Sequence, residues 1–315
     1  MLALLFPGQG SQNVGMGRDV FEASAGARAV FEAADDALGF SLSGLCFEGP
    51  EDKLTLTENQ QPAILTTSIA LLRALEERTE VKPDFLAGHS LGEYSALVAG
   101  GALSFESAVR LVNARGRFMQ QAVPEGHGAM AAIIGAGPEV ATQACEQAAA
   151  ETGKVVSPAN FNSPQQTVIA GEAGAVSLAG EKALELGAKK AIALSVSAPF
   201  HCSMMEPAAE QLVAEMKSVQ FSDASVPVVT NVEATANQDG KRLPELLGRQ
   251  VTSPVRFTDM IGELRASGAS RYLEVGPGRV LSGLLARIER GSKRANVCGL
   301  EDLEEAVQFI NESGT

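Results

Sequence analysis

The sequence predicts an α/β protein with a large domain built on buried parallel strands and a small inserted subdomain. The short, continuously apolar run Leu2–Phe6 is typical of a strand buried inside such a sheet, and residues 271–275 are predicted to form the last core strand. One short apolar run, 85–87, turns sharply into a helical segment between two glycines. Residues 126–197 follow a separate β-α-β-β-α-β order, which is that of a ferredoxin-like unit.

The composition narrows the class of protein. A chain of 315 residues can form one large domain with a smaller inserted unit. The net charge of −13 argues against a nucleic-acid binder and against adsorption to anionic membranes. The amino terminus lacks a basic leader and no apolar run approaches a membrane span, so we expect a cytosolic protein. The cysteines are far apart and are expected to be free thiols without a metal: Cys46, Cys145, Cys202 and Cys298.

The first predicted strand, Leu2–Phe6, runs into a glycine-rich loop, 7–17. The loop does not fit G-x-G-x-x-G, because the third glycine would fall at Asn13, and no Gly-Lys-Ser/Thr of a P-loop follows. Two readings remain. The loop is either a surface turn or a backbone loop that presents amides, with Gln9 as a polar arm.

Three helices are predicted before the insert. Helical periodicity dominates 18–38, and a second helix covers 63–78, after Gln60, Gln61 and Pro62. Ser104 can cap a third helix that runs to about residue 123.

Between the second and third helices lies the strand-to-helix turn around Ser90. Gly88 and Gly92 flank it in the pattern Gly-x-Ser-x-Gly, which suits a crowded and strained turn. Such a turn exposes the hydroxyl at the end of a strand, near the N–H groups that begin a helix. Ser90 is therefore a candidate acyl-accepting nucleophile. The alternative is a tight turn in which the serine only caps the helix.

The third helix carries an arginine on its apolar face. Arg115 lies three residues from Val112 and Phe118, and four from Leu111 and Met119. An arginine held in a core without a partner costs several kcal/mol, and no acidic residue of this helix is placed to pair with it. Either a distant carboxylate neutralises it in a structural ion pair, or its partner is a bound carboxylate.

The insert and the second part of the large domain follow. The boundaries predicted from the pattern are 1–125 and 198–315 for the large domain and 126–197 for the insert. A helix is expected over 204–219, a strand over 226–231 and a polar connection over 250–256. The tail 284–294 is rich in basic residues, and its default reading is a solvated helix face.

A nucleophilic serine needs a base, and the chain has three histidines. His89 abuts Ser90, so its side chain leaves the backbone in a different direction and is read as structural. His127 lies in a glycine-containing stretch and can be a solvated loop residue. His201 follows a proline turn just after the insert and is the best candidate. Its imidazole can be held by a backbone or amide oxygen, since no aspartate stands out.

Together these residues resemble one family, malonyl-CoA:acyl carrier protein transacylase of bacterial fatty acid synthesis. The resemblance covers nearly the whole chain, and the motifs that carry it occur in order: 6–12 (Phe-Pro-Gly-Gln-Gly-Ser-Gln), 88–93 (Gly-His-Ser-Leu-Gly-Glu), Arg115-Gly116, 160–164 (Asn-Phe-Asn-Ser-Pro), Phe200-His201 and 274–278 (Glu-Val-Gly-Pro-Gly).

The resemblance implies an α/β-hydrolase-like large domain with a ferredoxin-like insert, and a two-step transfer through a malonyl-serine. It implies Ser90 as nucleophile, His201 as general base, and an oxyanion hole formed by the N–H groups of Gln9 and Leu91. It implies that Arg115 holds the malonyl carboxylate and that an oxygen at Gln250 orients the histidine. Phe200 resembles a variant associated with malonyl rather than bulkier groups, although many bacterial members have serine there.

The implied partners are malonyl-CoA, as a substrate rather than a cofactor, and acyl carrier protein; we expect a monomer. Both partners are acidic, as is this chain, so docking needs a local basic patch. Two other functions use the same elbow and base: a serine thioesterase or esterase, and a trans-acting polyketide acyltransferase. A non-enzymatic module that only binds the carrier protein is a more distant alternative. The candidates for the basic patch are Lys189, Lys190, Arg287, Arg290, Lys293 and Arg294.

Overall fold

The structure is a computed structural model that describes residues 1–196 and 198–312. Ser197, at the predicted end of the insert, lies outside the described residues, as do residues 313–315. The strands are β1 (Leu2–Phe6), β2 (Phe85–Gly88), β3 (Gly128–Ile134), β4 (Val156–Ser163), β5 (Gln166–Glu172), β6 (Lys190–Ala193), β7 (Val228–Val229), β8 (Ala236–Asn237), β9 (Arg271–Val275) and β10 (Lys293–Val297).

The helices surround two sheets. They are α1 (Arg18–Ala23), α2 (Ala25–Leu38), α3 (Leu42–Glu48), α4 (Glu51–Leu54), α5 (Thr57–Glu76), α6 (Gly92–Ala99), α7 (Phe105–Gln121), α8 (Pro138–Thr152), α9 (Ala173–Glu185), α10 (Glu206–Met216), α11 (Leu243–Thr252), α12 (Phe257–Ala266), α13 (Val280–Ile288) and α14 (Leu303–Asn311). In the described part of the chain, no helix combines the length and the apolarity that a membrane crossing requires.

The larger sheet has the strand order β10-β9-β1-β2-β7-β8 and confirms the predicted parallel core. All its pairings are parallel except that of β7 with β8. Every residue of the central strand β1 is buried, as its continuous apolar run predicts. Because Phe6 pairs with Gly88 at the carboxyl ends of β1 and β2, the loops that follow these strands meet at one edge of the sheet.

The smaller sheet is antiparallel, with the order β4-β5-β3-β6, and α8 and α9 cover one of its faces. Successive residues of β3 point to opposite sides. Ala131 and Ile133 pack with α8 and α9, whereas Met130 and Ala132 belong to the core of the large domain. The insert therefore shares one of its two faces with the rest of the molecule.

Two predicted helices differ in extent from the sequence prediction. The helix over 18–38 is broken at Ser24, whose hydroxyl accepts a hydrogen bond from Ala27 N at 3.0 Å and caps α2. The helix predicted from residue 63 begins at residue 57 and contains Pro62. Proline cannot donate to the carbonyl four residues earlier, and Asn113 Nδ2 donates to that oxygen of Glu58 at 2.8 Å instead.

Four other expectations were wrong in detail. The strand expected over 226–231 is reduced to β7, and the helix expected over 204–219 is the shorter α10. Gln250 lies in the last turn of α11 rather than in a polar connection. The basic tail is not one helix face, because α13 ends at Ile288 and the edge strand β10 begins at Lys293.

Candidate active site

Ser90 lies in the turn between β2 and α6, in a left-handed backbone conformation with φ of 51°. The flanking glycines make the turn possible. A Cβ at Gly88 would lie 2.0 Å from the backbone of Gly92, and a Cβ at Gly92 would lie 2.0 Å from the carbonyl oxygen of Phe6. Asn231 holds the turn closed, because its Oδ1 accepts from Ser90 N at 2.6 Å and its Nδ2 donates to Gly88 O at 2.7 Å.

His201 contacts the serine. Its Nε2 lies 2.7 Å from Ser90 Oγ, and its Nδ1 lies 2.8 Å from the main-chain oxygen of Gln250. Because a carbonyl oxygen only accepts, Nδ1 carries the proton and Nε2 is free to accept the serine proton. Burial and the charge of Arg115 lower the pKa of His201 to about 3, so the imidazole is neutral at ordinary pH. This geometry is suited to a nucleophile and its base, with a backbone oxygen in the place of an aspartate.

Arg115 is completely buried, beside the same serine. Its guanidinium donates to Gln61 Oε1 at 2.7 Å, to Gln250 Oε1 at 3.0 Å and to Ser90 Oγ at 3.1 Å. Its Nε has no partner among the described residues, where no carboxylate lies within salt-bridge distance of it either. The predicted alternative of a contacting structural ion pair is therefore not observed in residues 1–196 and 198–312.

The position of Arg115 depends on the residue after it. A Cβ at Gly116 would lie 2.4 Å from the carbonyl oxygen of Thr57, so α7 can approach α5 this closely only with glycine there. The close approach brings the guanidinium within reach of Gln61 on α5. Gly116 thus permits the helix approach that lets Arg115 reach Gln61.

Two backbone amides lie in the loops that meet at the carboxyl ends of β1 and β2. Gln9 lies in the loop after β1, and Leu91 follows Ser90 at the start of α6. Within the described residues neither main-chain N–H donates a hydrogen bond. The side chain of Gln9 is engaged elsewhere, since its Nε2 donates to Gln60 Oε1 at 2.6 Å and its Oε1 accepts from Gln61 Nε2 at 3.3 Å. Two such amides are suited to stabilise an oxyanion.

The other histidines lie apart from this arrangement. The Nε2 atom of His89 is 2.8 Å from Asn162 Oδ1 on β4, which ties the turn to the insert. His127 is exposed, in the loop before β3.

Phe200, directly before His201, is buried.

Sequence reasoning missed three side chains in the site: Gln61, Glu93 and Asn231. Glu93 Oε2 accepts from Gln250 Nε2 at 2.7 Å and from Asn231 N at 3.1 Å, and Glu93 is only 1% exposed. Burial raises the pKa of Glu93 to about 7. A carboxylate in the first turn of an otherwise apolar helix was a visible signal for Glu93. Asn231, at the end of an apolar run, gave a weaker one.

The chain matches the family model of the acyl transferase domain over residues 3–307. Two curated relatives are named malonyl CoA-acyl carrier protein transacylase. That of Bacillus subtilis is 49% identical over 311 residues, covering 99% of this chain and 98% of the relative. That of Escherichia coli K12 is 48% identical over 286 residues, covering 91% of this chain and 92% of the relative.

Solved structures agree with these relatives. An acyl carrier protein S-malonyltransferase from Vibrio cholerae has a TM-score of 0.94 and 44% identity, covering 97% of this chain and 99% of that chain. A second neighbour is a malonyl-transacylase in complex with its type II PKS acyl-carrier protein. It has a TM-score of 0.94 and 44% identity, covering 98% of this chain and 99% of that chain.

Proposed function

The chain belongs to the acyl transferase family, and we propose that it transfers a malonyl group from malonyl-CoA to the phosphopantetheine thiol of acyl carrier protein, for fatty acid synthesis. The observation that carries the proposal is the buried guanidinium of Arg115. Within residues 1–196 and 198–312 its hydrogen-bond acceptors are neutral oxygens, and one of them is the hydroxyl of Ser90 at 3.1 Å. A site for acyl groups that end in a carboxylate needs this combination of a cation and a nucleophile.

In the first half of the reaction, Ser90 Oγ attacks the thioester carbonyl of malonyl-CoA while His201 Nε2 takes the hydroxyl proton. The N–H groups of Gln9 and Leu91 stabilise the oxyanion of the tetrahedral intermediate. The C–S bond then breaks, and the CoA thiol leaves with the proton from His201. The product of this half is an ester between malonate and Ser90.

In the second half, the thiol of the carrier protein attacks the ester carbonyl and gives its proton to His201. The ester bond breaks, and the proton returns to Ser90 Oγ. CoA is a substrate here, and neither half uses a resident cofactor or metal.

Arg115 selects the acyl group in this proposal. A guanidinium binds a carboxylate through two parallel N–H···O bonds, and Arg115 has a buried Nε–H without a partner in the described residues. Gln61 and Gln250 are neutral acceptors, and no carboxylate of the described residues lies within salt-bridge distance of the guanidinium. The free carboxylate of malonate supplies that group.

The test is intact-mass analysis after incubation with malonyl-CoA, followed by peptide mapping. We expect one malonyl adduct, located on Ser90 and absent in Ser90→Ala. An adduct on another residue would overturn the assignment. Rapid release of free malonate without an adduct would favour the alternative of a thioesterase or esterase.

A trans-acting polyketide acyltransferase is the second candidate, because one structural neighbour is complexed with a type II PKS acyl-carrier protein. The two roles share their chemistry and differ in the carrier. Transfer rates to a fatty-acid carrier protein and to a polyketide carrier protein, compared at equal concentrations, separate them. We expect the fatty-acid carrier to have the higher kcat/KM.

We propose that the acidic carrier protein docks on one part of the predicted basic patch. Arg287 donates to Gln166 at 3.2 Å, and Ile134 pairs with both Gln166 and Lys190, so Arg287, Lys189 and Lys190 gather at one end of the smaller sheet. Lys293 instead begins β10, at the amino ends of the parallel strands and away from the edge where Ser90 lies.

Charge reversal tests this docking surface. The triple variant K189E/K190E/R287E should raise the KM for carrier protein and leave the KM for malonyl-CoA less affected. The matched control is R290E/K293E/R294E, which changes the net charge equally on another surface. Equal effects of both triple variants would show that only the overall charge matters.

We also propose that the protein works as a monomer in the cytoplasm. The whole candidate site comes from one chain, and all four cysteines are free thiols, as a reducing compartment allows. Sedimentation or light scattering across the working concentration range tests the monomer. A dimer at assay concentrations would contradict it.

A further inference from the structure

Glu93 is a buried carboxylate that the proposed transfer steps do not use. It lies in the first turn of α6, three residues after Ser90, and is 1% exposed. A carboxylate is costly to bury without hydrogen bonds, so its partners indicate why it is there. Those partners are Gln250 Nε2 at 2.7 Å and the main-chain N–H of Asn231 at 3.1 Å.

Gln250 connects the three site residues. Its main-chain oxygen accepts from His201, its Oε1 accepts from Arg115, and its Nε2 donates to the carbonyl oxygen of Ser90 at 3.0 Å as well as to Glu93. A glutamine amide has one donating end and one accepting end, and rotation by 180° exchanges them. Only one of the two orientations presents an acceptor to Arg115.

Glu93 favours the observed orientation, as do the carbonyl oxygen of Ser90 and the guanidinium of Arg115. Glu93 Oε2 already accepts from the main-chain N–H of Asn231, and a carboxyl oxygen without a proton only accepts, so it pairs with the NH2 end of the Gln250 amide. The flipped amide would place its oxygen against Glu93 and its NH2 group against the guanidinium of Arg115. Each of these contacts would set like partners face to face and leave buried groups unsatisfied.

We propose that Glu93 is a positioning residue for acyl selectivity. It orients the Gln250 amide so that Oε1 holds the guanidinium of Arg115 where the substrate carboxylate binds. The inference rests on the proposed malonyl transfer and adds a residue that acts through Gln250 without touching the substrate.

The amide between Glu93 and Arg115 also explains why these two do not form a direct ion pair. In the described residues Glu93 lies outside salt-bridge distance of Arg115. The negative charge of Glu93 still favours the charged form of the Arg115 guanidinium. A direct pair would occupy the N–H groups of the guanidinium fork that a substrate carboxylate needs. The intervening amide keeps the negative charge of Glu93 near Arg115, while Arg115 Nε–H stays without a partner in the described residues.

Three substitutions at Glu93 separate the effect of side-chain length from the effect of its negative charge. Glu93→Gln keeps the length and an accepting oxygen, so it can still orient the amide. Glu93→Asp keeps the charge but is one methylene too short to reach both partners. Glu93→Leu removes the acceptor. The assay measures kcat/KM for malonyl-CoA and for acetyl-CoA with each variant, and thermal unfolding checks the fold.

We expect Glu93→Asp and Glu93→Leu to lower kcat/KM for malonyl-CoA by roughly tenfold or more while acetyl transfer changes about threefold or less. Glu93→Gln should keep the malonyl preference within about threefold of the wild-type value. If Glu93→Leu does not fold, the kcat/KM values of Glu93→Asp for malonyl-CoA and acetyl-CoA still test the proposal. Equal losses for malonyl and acetyl transfer would show a structural role only.

A double variant tests the route through Gln250. In a Gln250→Leu background the amide is gone, so Glu93→Asp should have no further effect on the malonyl preference. A full additional effect would overturn the inference. Failure of the proposed function is distinguishable, because it would appear in the wild-type protein as a missing malonyl adduct on Ser90.

Discussion

Two arginine clusters in this chain meet their partners in opposite ways. At the surface, Glu233 accepts from Arg242 at 2.8 Å and from Arg249 at 3.0 Å, and both arginine side chains are 45% exposed. In the interior, Arg115 is fully buried and contacts two amide oxygens and a hydroxyl. In the surface cluster both arginines contact a carboxylate, whereas Arg115 contacts none in the described residues and its Nε–H has no partner there.

Successive residues of α11 serve the two clusters. Arg249 points outward to Glu233, and Gln250 points inward to Arg115. Exposed pairs contribute little to stability, because water and salt screen them. A buried guanidinium without a contacting anion costs free energy in the folded state, and that cost is recovered only when an anionic ligand binds. Incomplete hydrogen bonding in the core, rather than charge alone, therefore distinguishes Arg115 from the surface arginines.

The largest expected effect comes from removing the buried cation. Arg115→Ala should lower kcat/KM for malonyl-CoA by about 100-fold or more, since loss of a buried charge partner costs roughly 2–5 kcal/mol. Acetyl transfer, which involves no second carboxylate, should fall far less. Steady-state kinetics with both thioesters measure the difference. Equal losses for the two substrates would remove the distinction between the clusters.

The next effect concerns the oxygens that hold Arg115. Gln61→Leu removes the acceptor of the 2.7 Å hydrogen bond and leaves a buried N–H group unpaired. Such a loss costs about 1–3 kcal/mol, so malonyl transfer should fall roughly tenfold, with a smaller change for acetyl. Gln211→Ala, at an exposed glutamine, is the matched control. A silent Gln61→Leu would mean that this contact does not position the guanidinium.

The clusters should also respond to different pH ranges. Burial and the charge of Arg115 lower the pKa of His201 from its ordinary value of 6.5 to about 3, so its contribution to stability decreases as pH falls below 6.5. Burial raises the pKa of Glu93 from its ordinary value of 4.5 to about 7, so its contribution to stability decreases as pH rises from 4.5 to 7. The pKa of Glu233 is lowered by Arg242, so its contribution is lost only as pH falls below its ordinary value.

Between pH 4.5 and 6.5 the two buried groups therefore oppose one another. Glu93→Gln should make the free energy of unfolding rise more steeply with pH in this range, by up to about 1.4 kcal/mol per pH unit. His201→Asn should change the slope in the opposite direction. Urea unfolding at several pH values measures both slopes, and unchanged slopes in both variants would contradict the assignment.

The smallest effect is expected at the surface. Arg249→Ala should change the free energy of unfolding by less than about 1 kcal/mol and leave the malonyl preference unaltered. Denaturant unfolding and the same kinetic assay test this. A loss of malonyl preference here would mean that the surface pair sets the position of Gln250, and the two clusters would then be one.

Local signals in the sequence predicted the parts of the fold that depend on them. The apolar run 2–6, the glycines around Ser90 and the alternation of elements in 126–197 each predicted the element that forms. Helical periodicity also placed Arg115 on a buried face. The predicted start of α5 was wrong because a distant residue compensates for Pro62. Proline leaves the carbonyl oxygen of Glu58 without its helical donor, and Asn113, 55 residues from Glu58 in the chain, donates to that oxygen instead.

The partners of the site residues could not be predicted in the same way. Asn231 contacts Ser90 across 141 residues of sequence, and Gln250 contacts Arg115 across 135. Nothing in a local pattern specifies contacts at such separations. They follow from which strands and helices become neighbours, and only the assembled sheet determines this.

The alternation of side chains along β3 between the two cores has a consequence for unfolding and for exchange of the insert. Since Met130 and Ala132 belong to the core of the large domain while Ala131 and Ile133 belong to that of the insert, separating the two units would expose apolar side chains on one face of β3. We expect denaturation to be a single cooperative transition rather than the stepwise melting of two modules. A chimaera that exchanges the insert for that of a distant relative must therefore carry over the side chains on both faces of this strand.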